Sequence, residues 1–166
     1  IENFDECWIP DLSGEQHASG KLAHKSSIPF PHRFIGLLSR LQPATSEKKF
    51  TAGFILSGLE PLRTEFENLL IDQLESMPKG NYLLMRGTNG NLQRTPPENL
   101  MVINMSDSKQ LNQLINQCEI IVSRAGYSSI MDYLVTGTKA LLVPTQGQTE
   151  QEYLAKYHLE QGNFYS

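Results

Sequence analysis

From residue 50 onward, short apolar runs alternate with amphipathic stretches, and that alternation leaves few folds open. The densest example is 118–155, CEIIVSRAGYSSIMDYLVTGTKALLVPTQGQTEQEYLA. It reads as strand, glycine-containing turn, helix, strand, polar turn and helix. Runs such as FILS, EIIVS and ALLVP suit strands covered on both faces, as in a parallel sheet. The spacing predicts strands at 50–57, 82–85, 100–105, 119–123 and 139–143. It predicts helices at 61–77, 109–117, 128–136 and 150–161. In the first helix Phe66, Leu69, Leu70, Leu74 and Met77 share one face, and Pro61 fits its first turn. Gly137 and Gly162 each follow a helix as C-caps. The expected fold is therefore α/β, a Rossmann-like three-layer αβα with a mostly parallel sheet.

Residues 1–33 differ from the rest. Residues 4–10 can form a short strand stopped by Pro10. Residues 11–31 are rich in Ser, Gly, His and Lys and show little periodicity. They read as a linker leaving a further, N-terminal domain, with the Rossmann-like domain running from 34 to 166. The chain opens on Ile1 and stops just after a helix, which also reads as a piece of a longer protein.

At 166 residues and a net charge of −4, the chain can bury a core but offers no general basic surface, so no nucleic acid partner is expected. No apolar run reaches the roughly 20 residues of a membrane span. Cys7 and Cys118 lack metal spacing and read as reduced thiols of a cytoplasmic protein. His17, His24, His32 and His158 form no metal-ligand motif, and no cofactor motif is present.

Polar residues gather where strands give way to helices, the place where open α/β sheets bind ligands and where free amides attract phosphate. Ser57-Gly58 allows close approach to an anion, although an ordinary turn explains it equally. Arg124, Gly126, Ser128 and Ser129 could hold a diphosphate, with Ser128 or Ser129 as N-cap. Asp132, one turn on, suits the two hydroxyls of a ribose. The alternative is a capping serine, a surface-paired arginine and a solvated acid. Gln148, Thr149, Glu150 and Gln151 are dense in groups that suit sugar hydroxyls. Thr149 with Glu152 also fits a capping box.

SRAGYSSIMDYLVTGTKALLVP followed by QTEQEYLA resembles the C-terminal domain of family 28 glycosyltransferases, the MurG-like group. The matching positions are Ser123-Arg124-Ala125-Gly126, Asp132, Val143-Pro144 and Gln151. Gly36-Leu37-Leu38-Ser39-Arg40 matches the family's G-x-x-x-R junction pattern. The resemblance implies the C-terminal half of a GT-B fold, binding a nucleotide-diphosphate sugar, usually a UDP-sugar. It implies Arg40 on a phosphate, Ser128, Ser129 and the Gly126 backbone toward the diphosphate, and Asp132 on the ribose. It further implies the Met105 backbone near the base and Gln151, beside Glu150, on sugar hydroxyls. The implied reaction is hexosyl transfer to an acceptor hydroxyl on a glycan, lipid or small molecule, without metal. The catalytic base would lie in the N-terminal domain. Placement would be cytoplasmic, with docking at the inner membrane face open for the full-length protein. Two other readings stay open: a nucleotide-sugar hydrolase or epimerase, and a non-catalytic subunit of a split transferase.

Overall fold

Parallel strands cannot be joined by tight hairpins, so each buried apolar run must return through a crossover. The computed structural model, which describes residues 4–14, 16–24, 27–74 and 76–166, shows this. Two short strands, β1 (Cys7–Ile9) and β2 (His32–Phe34), pair in parallel ahead of the main sheet. The main sheet contains β3 (Ala52–Ile55), β4 (Tyr82–Met85), β5 (Leu100–Ile103), β6 (Ile121–Ser123) and β7 (Ala140–Leu142). The helices are α1 (Leu62–Leu74), α2 (Ser108–Asn116), α3 (Tyr127–Thr136) and α4 (Thr149–Glu160). All five main strands are parallel, in the order β5-β4-β3-β6-β7. The Rossmann-like α/β class read from the sequence is the class observed.

Alternate residues of each strand feed opposite layers, as the two-residue period requires. Tyr82 and Leu84 pack with Phe66, Leu70, Ile71 and Leu74 of α1. Leu83 and Met85 pack with Leu111, Leu114 and Ile115 of α2 and with Ile130 and Tyr133 of α3. Leu154 and Ala155 of α4 join that second layer. Gly137 ends α3 in the left-handed conformation (φ 66°) and donates its N–H to the Tyr133 carbonyl, as a C-cap glycine should.

Three local expectations are corrected. Helix α1 ends at Leu74, not 77, and Leu69 is exposed. The buried stripe is 63, 66, 67, 70, 71 and 74, so Leu69 falls off it while Arg63 and Glu67 fall on it. Helix α3 has Gly126 as its N-cap, not Ser128 or Ser129, because only residues 124–126 separate it from β6. Helix α4 starts at Thr149 with Gln148 as N-cap, so the Thr149–Glu152 capping box does not form. The Glu152 carboxylate instead accepts the Gly147 N–H (2.8 Å) from the turn before the helix.

The buried charges of α1 form a network. Glu67 accepts from Arg63 Nη1 (2.8 Å), Arg86 Nε (2.7 Å) and Arg86 Nη2 (3.0 Å). Burial opposes the charge of Glu67, but those bonds outweigh it and hold the carboxyl below its ordinary range. Arg86 also donates to the Gly90 carbonyl (2.5 Å), the Asn91 carbonyl (3.3 Å) and Asn104 Oδ1 (2.9 Å). It thus ties the segment after β4 and the end of β5 to α1.

The segment expected as a long loop is anchored by polar contacts. Asp11 is fully buried and accepts from the amides of Leu12 (2.8 Å), Ala18 (2.7 Å) and Ser19 (3.0 Å), and from the Ser19 hydroxyl (2.5 Å). Burial works against its charge, and these bonds still hold the carboxyl below its usual range. Buried His158 of α4 bonds the Ala18 carbonyl (2.9 Å), and the Tyr127 hydroxyl donates to the Pro10 carbonyl (2.6 Å). Rings of Phe34, His24, His17, Tyr157 and Tyr153 stack in succession between the segment and α4. The boundary expected after residue 33 falls within β2.

Candidate functional site

Strand order fixes where a site can form. From β3 the chain moves outward to β4 and β5, then returns to place β6 on the other side of β3. The connections leave β3 and β6 in opposite directions and open a crevice at their C-terminal ends. A cavity of about 290 Å³ lies beside these ends, at the low end of small-molecule pockets. Its polar lining comes from Arg40, Ser57, Asn104, Ser106, Ser129 and Asp132, and its apolar wall includes Ile103, Met105, Leu111 and Ile115.

Each lining group has a local reason for its place. Ser57 follows β3, and Asn104 and Met105 follow β5. Ser129 and Asp132 are separated by one turn of α3 and so share a face. Asp132 is half-buried and accepts the Ser39 hydroxyl (2.6 Å), which also receives the Leu41 amide (3.0 Å). That contact brings residues 39–40 against α3. Gly87 lines the floor with φ 66°, and a Cβ there would stand 2.9 Å from the Leu56 carbonyl oxygen. A side chain at 87 would therefore meet backbone. Tyr133, also lining the cavity, donates its hydroxyl to Ser123 Oγ (2.9 Å), and burial pushes the phenol pKa up. No side chain caps α3, so its first amides and the positive end of its dipole are open to an anion.

Of the residues singled out in the sequence, Arg40, Ser57, Ser129, Asp132 and Met105 come together around this cavity. Ser128 is exposed on the same helical turn, and Gly58 and Gly126 occupy the connections beside it. Arg124 turns elsewhere. Its guanidinium lies 4.1 Å from the Phe66 ring centre and donates to the Val143 (3.3 Å) and Pro144 (3.1 Å) carbonyls. Burial pulls its pKa below the ordinary value. Arg124 borders a second cavity of about 380 Å³ with Phe66, Val143, Thr145 and Gln146. Gln148, Thr149, Glu150 and Gln151 begin α4. The Gln151 carbonyl accepts the Thr145 amide (3.0 Å) and its NH₂ group bonds Gln148, so these amides shape the turn that carries them. Ser39 and Asn104 had no separate signal: one was a variable position of the junction pattern and the other lay inside a predicted strand.

Asp11, His17 and His24 also approach one another, with ligating atoms within 4.8 Å. The two imidazoles stack face to face, 3.8 Å apart and 15° from parallel. No point within bonding distance lies in both ring planes, so an ion there would require one ring to leave the stack.

The fold has counterparts in solved structures. The chain is similar to the glycotransferase of kitacinnamycin, with TM-score 0.56 and 20% identity over 81% of this chain and 35% of that one. It is similar to the glycosyltransferase SnogD from Streptomyces nogalater, with TM-score 0.55 and 17% identity over 78% of this chain and 33% of that one. A third likeness is to the spinosyn forosaminyltransferase SpnP, with TM-score 0.58 and 15% identity over 84% of this chain and 37% of that one. The chain thus spans about a third of the length of each. These likenesses establish a GT-B-type glycosyltransferase C-terminal fold. The sequence matches the glycosyltransferase family 28 C-terminal domain over residues 80–163, just over half of the chain. The chain belongs to that family. A comparison with curated proteins gives no match.

Proposed function

We propose that this chain is the donor-binding domain of a glycosyltransferase and holds a nucleotide-diphosphate sugar, a UDP-sugar, for hexosyl transfer to an acceptor hydroxyl. The observation that carries this reading is the convergence on one strand-end cavity of Arg40, Ser129 and Asp132, with Ser39 bonded to Asp132 and the start of α3 free of a side-chain cap. Asp132 would accept from ribose hydroxyls. The α3 amides, Ser128, Ser129 and Arg40 would face the diphosphate. Ser57 and Gly58 would allow its close approach. Gln148, Thr149, Glu150 and Gln151, together with the half-buried Arg124, would border the sugar end. The base would lie toward Met105.

In the reaction, the acceptor hydroxyl attacks the anomeric carbon, its proton passes to a base outside this chain, and the bond to the diphosphate oxygen breaks. The fixed helix amides and Arg40 stabilise charge growing on the departing diphosphate, so no metal is required by this scheme. Phe4, Trp8, Ile35 and Leu38 expose apolar side chains near the N-terminal strands. This favours docking on an acceptor-binding domain or a separate chain that also supplies the base. No helix among the described residues is long and apolar enough to cross a membrane.

Calorimetric titration with UDP at low salt tests the reading on wild type and Asp132→Ala. Binding in the micromolar-to-millimolar range, weakened about tenfold or more by the substitution, is expected. Absence of binding by UDP and by the other nucleoside diphosphates would overturn it.

A further inference from the structure

Arg86 and Asn104 occupy the next positions beyond the Met85–Ile103 pair of the β4–β5 ladder. The ladder continues past them: the Arg86 amide donates to the Ile103 carbonyl (2.8 Å) and the Thr88 amide to the Asn104 carbonyl (3.2 Å). Arg86 is 2% exposed and gripped by Glu67. Asn104, in contrast, is exposed and lines the cavity. Arginine has only donors, so the contact from Arg86 Nη1 (2.9 Å) must meet the carbonyl oxygen of the Asn104 amide. The opposite end of the amide, Nδ2, has no protein partner among the described residues.

A free asparagine reads keto and amino groups alike, because its amide can flip to present either an acceptor or a donor. A pinned one cannot. We propose that Asn104, its amide fixed by Arg86, is a specificity-determining residue that presents an N–H donor to a carbonyl on the nucleobase and so selects a keto over an amino base edge. This rests on the donor-domain reading. Within that reading, the phosphates sit at α3 and the ribose at Asp132. The remaining cavity then runs toward the end of β5, between Asn104, Met105 and Ser106, where the base must go. Arg86 touches no ligand and acts as a positioning residue. Its anchorage to Glu67 resists any rotation that would release the amide.

UDP and CDP isolate the effect, since they differ only in the carbonyl or amino group at base position 4 and the adjoining ring nitrogen. Affinities of both are measured by calorimetry on the wild-type chain, Asn104→Asp, Asn104→Ala and Arg86→Lys, with circular dichroism and melting curves confirming folding. Wild type should favour UDP by about tenfold, the scale of one unpaired polar group in a discriminating site. Asn104→Asp, which converts the donor to an acceptor, should bring the ratio to unity or below, even as its added charge weakens both ligands. Asn104→Ala should bring the ratio close to unity. Arg86→Lys keeps a cation for Glu67 but loses the planar fork. It should compress the ratio at least threefold, whereas a purely architectural role would weaken both ligands equally.

Equal wild-type affinities, or a ratio unmoved by Asn104→Asp, would remove this inference and leave the donor reading standing. An unchanged ratio in folded Arg86→Lys would remove the role of Arg86. Binding of no nucleoside diphosphate would remove the donor reading and the inference together. Should Arg86→Lys fail to fold, the exposed Asn104 variants still decide the role of Asn104, and Glu67→Gln, which keeps Arg86 but loosens its anchorage, decides that of Arg86: the ratio narrows if Arg86 positions the amide and is unchanged if it does not.

Discussion

Glu67→Gln should destabilise the domain out of proportion to the one atom changed. The Glu67 carboxylate is 3% exposed and receives three charged hydrogen bonds of 3.0 Å or less from two arginines. Glutamine removes the negative charge and can accept through one oxygen only, leaving donors of Arg63 or Arg86 unmatched where water is scarce. Breaking a buried ion pair from one side costs about 3–5 kcal/mol. At about 2–4 °C per kcal/mol for a chain of this size, the melting temperature should fall by roughly 6–20 °C. The internal control is Asp72, whose ion pair with Arg94 has the same chemistry but has both side chains about half exposed. Asp72→Ala should cost no more than about 1 kcal/mol. Urea unfolding followed by circular dichroism, alongside thermal melts, measures both. The pH dependence adds a second reading. The folded carboxyl of Glu67 sits below its ordinary value, so its contribution is present above about pH 4.3 and is lost as pH falls through the folded pKa. The difference between wild type and Glu67→Gln should therefore shrink in acid. A loss below about 1 kcal/mol at neutral pH, or equal losses for Glu67→Gln and Asp72→Ala, would refute the argument that burial gives the network its weight.

His158 and Cys118 give two further tests. His158 is fully buried, with Nε2–H donating to the Ala18 carbonyl and Nδ1 receiving the Asn163 amide (3.1 Å), a neutral tautomer. Burial lowers its pKa, so its contribution is intact above about pH 6.5 and declines as pH falls toward the folded pKa; melting temperature should drop between pH 7 and 5, less steeply in His158→Gln. The Cys118 thiol is buried, donates to the Leu114 carbonyl (3.2 Å) and is pushed up to about 12 by burial. Under native conditions a thiol reagent should label Cys7 readily and Cys118 only on unfolding, as mass spectrometry of the two peptides would show.

The fold was legible because its strands are short apolar runs and its helices carry period-3.6 stripes, both local properties. Errors arose where locality ends. The adjacent Leu69-Leu70 pair reads as uniformly apolar, yet only Leu70 lies on the stripe. Arg63, Glu67 and Arg86 look like surface charges in sequence, and their burial depends on a pairing between residues 19 positions apart. The segment 11–31 shows no hydrophobic period, and its described residues are held instead by a buried carboxylate collecting amides, by the His158–Ala18 bond and by stacked rings. At the site, strand-end position and residue type pointed to Ser57, Ser129 and Asp132, whereas Arg40 and Met105 came only through the family resemblance; all five line one cavity. The direction of Arg124 depended on Phe66, a contact no spacing announces. Ser39 and Asn104 acquire meaning only through the partners that fix them, Asp132 and Arg86.

The α3 terminus has a further consequence for anyone who tries to improve this domain. Serine or aspartate in place of Gly126 would cap the helix and stabilise it by roughly 0.3 kcal/mol. The new side chain would occupy the very donors that, on the donor-domain reading, greet an anion. Selection for ruggedness alone would thus heal the opening and, on that reading, shut the anion out, while an anion seated there would act as a removable cap and turn a simple melting curve into a gauge of occupancy.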